Sequence, residues 1–80
     1  MKVLYTLSEV EERRIKMARE KLRKYRQSIG KTQEEMAEIW GITLSFYYKI
    51  ESGEKNPSIQ NLREFKKRFF NADVEEIFLE

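Results

Sequence analysis

Cysteine and histidine are both absent from the 80 residues. The first absence removes disulfides and thiolate metal sites, and the second removes the commonest metal ligand and the commonest general base. Enzyme chemistry therefore starts from a poor set of side chains: no nucleophile or acid-base pair stands out, and the chain reads as a non-enzyme without a cofactor or metal. Proline occurs once, at Pro57, and glycine three times, so little interrupts helices. No repeat, low-complexity tract or Gly/Ser linker divides the chain. No apolar run reaches the roughly 18 residues of a membrane span, and Met1 to Leu7 is too short and polar for a secretory signal. A cytoplasmic location with no membrane partner is expected.

What is present is charge and aromatic bulk. Charged residues make up 38% of the chain, beside one Trp, four Tyr and five Phe, enough for one small core under a soluble shell. A chain of this length folds as one domain that buries about 60 to 65% of its surface. The net charge is only +2, but its distribution is uneven. Arg13, Arg14, Lys16, Arg19, Lys21, Arg23, Lys24 and Arg26 fall within one short segment opposed only by Glu20. Such a run is either a solvated helix face or an attraction for phosphate.

Capping signals divide the chain into five helices. Ser8 and Glu11 have capping-box spacing, and Ile15, Ala18, Leu22, Tyr25 and Ile29 then recur at steps of three and four. An extended first helix from Glu9 to Ile29 is predicted, ended by Gly30. Thr32 with Glu35 opens a short second helix that stops at Gly41. Thr43 caps a third, with Ser52 and Gly53 after it. Ser58 caps a fourth carrying Ile59, Leu62, Phe65 and Phe69. Asp73 with Glu76 forms a last box before Val74, Ile77 and Phe78. No stretch alternates with period two, so the fold class is all-α.

Gln33 to Glu51 carries the functional signal. Two short helices crossing steeply need a small residue at the crossing and a turn residue tolerant of positive φ; Ala37 and Gly41 meet those needs. With Tyr47 and Ile50 facing inward, helical geometry sends Leu44, Ser45, Tyr48 and Lys49 outward. That outer face suits a DNA major groove. Trp40 is expected in the core, Tyr47 in the core despite its hydroxyl, and Phe46 partly buried.

The stretch LRKYRQSIGKTQEEMAEIWGITLSFYYKIESGEKNPS resembles the helix-turn-helix domains of the lambda-repressor-like (Cro/C1, XRE) family of phage and bacterial transcriptional regulators. Its matching pieces are Gly30-x-Thr32-Gln33-Glu34-Glu35, Ala37, Gly41-Ile42-Thr43, Ile50-Glu51, Gly53 and Asn56-Pro57-Ser58. The resemblance covers roughly Arg19 to Phe78, leaving 1–18 as an extension and 19–80 as the DNA-binding domain. It implies a five-helix fold and a recognition helix at about 43–51. Gln33 is implied to touch a phosphate, Thr43 to cap the recognition helix and meet another, and Leu44, Ser45 and Lys49 to reach base edges. Lys49 suits guanine N7 and O6, Ser45 can donate or accept, and Leu44 can cover a thymine methyl. Tyr48 can meet a base or the sugar-phosphate. Lys55 and Asn56 are candidate phosphate contacts in the following loop, with Ser52 as an additional one and Arg23 or Lys24 supplying attraction from the first helix. An Arg26–Glu51 pair is implied as a constraint on the fold.

Two departures matter. Lys31 stands where the family commonly has an apolar residue, which leaves Ile29 to seal the corner, and one additional residue between Leu62 and Asp73 adds Phe70. The resulting expectation is a repressor-type, sequence-specific regulator that binds double-stranded DNA as a homodimer, with Phe70, Val74, Ile77 and Phe78 as interface candidates. The alternative is an antitoxin or adaptor whose partner is a protein, such as a toxin or an antirepressor.

Overall fold

The computed structural model describes residues 19–79, and these form α1 (Glu20–Ser28), α2 (Gln33–Trp40), α3 (Leu44–Glu51), α4 (Ile59–Arg68) and α5 (Val74–Phe78). Among the described residues there is no strand, and no helix is long and apolar enough to cross a membrane. The Ser8/Glu11 box, Ile15, Ala18 and the basic residues before Arg19 lie outside this range. The sequence predicts a first helix running unbroken through Arg19, but Arg19 is not helical and the described helix starts at Glu20. Arg19 has φ −105° and ψ 70°, outside the helical region, because its N–H bonds the Glu51 carbonyl across the fold (3.0 Å).

Side-chain caps set the other starts. Thr32 Oγ1 accepts from Glu35 N (3.1 Å) while Glu35 Oε1 accepts from Thr32 N (2.9 Å), a complete reciprocal box. That backbone bond holds the Glu35 carboxyl below its ordinary pKa. Thr43 Oγ1 accepts from Phe46 N (3.1 Å). Ser58 forms a box with Asn61 in the place usually taken by Glu or Gln. At Asp73 only half of the expected box exists: Asp73 accepts from Glu76 N (3.2 Å), while the Glu76 carboxylate faces Lys21 instead (3.8 Å). Gly41 turns the chain between α2 and α3 at φ 86°, where a side chain would be strained.

The core is aromatic and centred on Phe65. Leu22, Met36, Trp40, Tyr47, Ile50 and Phe65 are fully buried, each contributing about 1.5 to 3 kcal/mol of transfer free energy. The Phe65 ring has the rings of Phe69 (4.5 Å), Trp40 (4.8 Å), Phe78 (5.1 Å) and Tyr25 (6.2 Å) around it, mostly tilted or edge-on, the favoured geometry for aromatic pairs. Trp40 satisfies its indole N–H on Asn61 O (2.9 Å). Arg68 completes the end of α2 by donating to Trp40 O (2.8 Å).

Three apolar expectations change. Ile29 does not seal the α1–α2 corner; it is exposed, and the corner is closed by Arg26, whose carbonyl accepts from Lys31 N (3.1 Å) and whose Nη1 donates to Lys31 O (3.2 Å). Ile59 leaves the buried stripe of α4, being 65% exposed. It is the first residue of that helix, and a helical side chain leans toward the N-terminus, past the edge of the core. Ile77 and Phe78 are buried within the monomer, packed on the core, and so are not available as interface residues. The additional residue after α4 is absorbed by Lys66, whose ammonium donates to the carbonyls of Phe70 (3.1 Å) and Ala72 (3.0 Å). Phe70 is turned outward.

Candidate nucleic-acid interface

α2 and α3 meet at Ala37, which is buried and whose carbonyl accepts from both Gly41 N (2.9 Å) and Ile42 N (3.0 Å). A larger side chain there would separate the helices. The α3 sequence then sorts by face. Tyr47 and Ile50 are fully buried, Leu44 and Phe46 are half-buried against the core, and Ser45, Tyr48 and Lys49 are exposed. Thr43 stays exposed at the start of α3, its oxygen committed to the cap.

Gln33, at the first position of α2, is brought beside the end of α3. Its Nε2 donates to Glu51 Oε1 (2.7 Å). The same carboxylate receives Arg26 Nε on Oε2 (3.0 Å) and Arg26 Nη2 on Oε1 (3.3 Å), so the expected pair exists and is largely buried. Tyr47 OH adds a fourth bond, to Oε2 (2.8 Å). The Glu51 bond raises the Arg26 pKa above its ordinary value. Burial, followed by the bond to Glu51, pushes the Tyr47 hydroxyl well up from the usual tyrosine range, so it stays a neutral donor. The partner that the hydroxyl finds is a buried carboxylate.

The loop after α3 folds back on that helix. Lys55 N bonds Lys49 O (3.0 Å), and Ser52 Oγ donates to Lys49 O (3.1 Å) while accepting from Glu54 N (3.4 Å). Ser52 is thereby committed to the turn. Lys55 and Asn56 are exposed. Asn56 Oδ1 accepts from Arg19 Nη2. Both oxygens of Glu20 accept from Arg23 Nη2 (2.6 and 2.7 Å), while Lys24 is exposed on α1.

Two participants were not singled out by sequence. Arg19 braces the loop through Asn56 and Lys55 O (3.5 Å) and stacks over Phe78 (5.8 Å); burial lowers its pKa. The Tyr47 hydroxyl is the other. Its spacing of four from Glu51 on one helix face was the available signal.

Residues 22–69 match the family model described as helix-turn-helix. The chain belongs to the Cro/C1-type helix-turn-helix family. Among curated proteins it is similar to the cryptic phage CTXphi transcriptional repressor RstR of Vibrio cholerae, 48% identical over 44 residues that make up 55% of this chain and 39% of that protein. It is also similar to an uncharacterized HTH-type transcriptional regulator of Archaeoglobus fulgidus, 34% identical over 61 residues that make up 76% of this chain and 86% of the relative. The match thus spans less than half of the phage repressor but most of the archaeal regulator. No solved structure matches the chain at the same stringency. As in other helix-turn-helix proteins, α2 and α3 form the motif, with α3 in the place of the recognition helix.

Proposed function

We propose that this chain is a sequence-specific, DNA-binding transcriptional regulator of repressor type, acting in the cytoplasm by occupying operator DNA. Residues 19–80 form the binding domain and 1–18 an extension. The reading rests above all on the outer face of α3, where Ser45, Tyr48 and Lys49 stand exposed within a family motif. In it, α3 enters the major groove, Lys49 and Ser45 read base edges, and Leu44 offers its exposed part to a thymine methyl. Gln33, Thr43, Lys55 and Asn56 meet phosphates and set the orientation. The protein-partner alternative needs an apolar α3 surface, and it is disfavoured by Leu44 and Phe46 packing inward.

Selection of bound fragments from random duplex DNA tests this. Enrichment of a defined site is expected, with Lys49→Ala changing the preference by about 1 to 3 kcal/mol at one position and Gln33→Ala weakening all sites evenly. Identical preferences in wild type and Lys49→Ala would sink the base-reading role.

The regulator works as a homodimer in this reading, since one recognition helix spans few base pairs and two copies on a two-fold axis place their helices roughly 34 Å apart. With Ile77 and Phe78 buried, the interface falls on the groove between α4 and α5 lined by Ile59, Leu62 and Val74, with Arg63 and Glu75 on its rims. Opposite charges on the two rims make this face complementary to itself, as a two-fold contact requires. Phe70, largely exposed, precedes Asn71, which also lines that groove. Sedimentation should show a dimer, and Ile59→Asp a folded monomer with weakened binding to a palindrome. An unchanged mass for Ile59→Asp would place the interface elsewhere.

A further inference from the structure

We propose that Tyr47 is a positioning residue for DNA binding: its hydroxyl, acting through Glu51, aims the Gln33 side chain at the DNA backbone. This rests on the DNA-binding reading above. Glu51 is 7% exposed, and its two oxygens take two donors each: Gln33 Nε2 and Arg26 Nη2 on Oε1, Tyr47 OH and Arg26 Nε on Oε2. A carboxylate only accepts, so the end of the Gln33 carboxamide that faces it is the nitrogen. One N–H is used there. The second is not taken up by any bond described for Gln33, which is the first residue of α2. A phosphate also only accepts, and that second N–H is the group it takes.

Packing alone does not call for the hydroxyl of Tyr47. Its ring is fully buried and meets Trp40 edge-on at 6.2 Å, a contact that phenylalanine would reproduce. The hydroxyl holds Oε2 against the two-pronged grip of Arg26. Without it the carboxylate is free to turn toward the guanidinium, and Oε1 loses its alignment on Gln33. Because Tyr47 and Glu51 both belong to α3, the Gln33 contact is also referenced to the helix that carries Ser45 and Lys49. A glutamine held this way loses less side-chain freedom on binding than a mobile one.

The test is a cycle of wild type, Tyr47→Phe, Gln33→Ala and the double variant, each titrated at low salt with long random-sequence duplex DNA, whose phosphates are the probe. Tyr47→Phe is expected to weaken binding about three- to tenfold in the wild-type background, the size of one hydrogen bond, and to change nothing once Gln33 is alanine. A purely structural hydroxyl would lower affinity equally in both backgrounds, and that result, or an unchanged affinity of Tyr47→Phe, overturns the inference while leaving the DNA reading intact. Absence of any binding by wild type overturns both. A second readout needs no DNA: the Gln33 side-chain amide resonances should shift in Tyr47→Phe, and identical resonances would also overturn the positioning role.

Discussion

Replacing Glu51 by alanine is expected to destabilise the protein by about 3 to 5 kcal/mol, the usual result of removing one partner of a buried ion pair. A chain of this length has roughly 4 to 12 kcal/mol in all, so the variant lies at the margin of folding. The cost is large because three groups lose their acceptor together. The Arg26 side chain is only 14% exposed and its guanidinium would be left with the Lys31 carbonyl alone among the bonds described for it; the Tyr47 hydroxyl would be buried without a partner, and Gln33 would lose its anchor. Chemical denaturation followed by circular dichroism measures this. Arg26→Ala should also be costly, and the Arg26→Ala, Glu51→Ala double variant should be more stable than the sum of the singles predicts. Simple additivity would show that the two residues do not depend on each other.

Phe65→Ala should cost a similar amount, about 3 to 5 kcal/mol, for an unrelated reason. Phe65, on α4, is fully buried, and its ring meets α1, α2 and α5 through Tyr25, Trp40 and Phe78, and Phe69 just past the end of its own helix. Aromatic walls of this kind cannot collapse into the space left behind, so the lost contacts add to the lost burial. Trp40 is the only tryptophan, and its fluorescence reports the rearrangement directly. Phe70→Ala, at an exposed site, is the control. Equal midpoints for the two variants would remove Phe65 from the centre of the core.

Local chemistry carried most of the fold. Thr32, Thr43, Ser58 and Asp73 cap the helices expected of them, and Tyr47 and Trp40 are buried as their spacing required. What was not legible depends on angles between elements. Whether Ile29 and Ile59 lie inside or outside is decided by where the core ends, and both lie where a helix ends or begins. The Arg19 interruption arises because its N–H meets a carbonyl of residue 51, a separation at which periodicity is silent. In the site, the faces of α3 follow from a repeat of 3.6 residues, so the exposure of Ser45, Tyr48 and Lys49 could be read directly. The convergence of Gln33 and Tyr47 on one carboxylate could not, because it requires the crossing of α2 over α3.

That convergence also bears on how the motif could be moved between proteins. The helix-turn-helix pair, 33–51, is continuous in sequence, yet its closing bonds come from Arg19 and Arg26, which lie on the chain before it. A graft of α2 and α3 alone would carry Glu51 as an anion without its guanidinium and α3 without the strut that ends it. The smallest portable unit therefore begins at Arg19, and a chimaera cut at Thr32 should present the same recognition residues on a motif that no longer holds its angle.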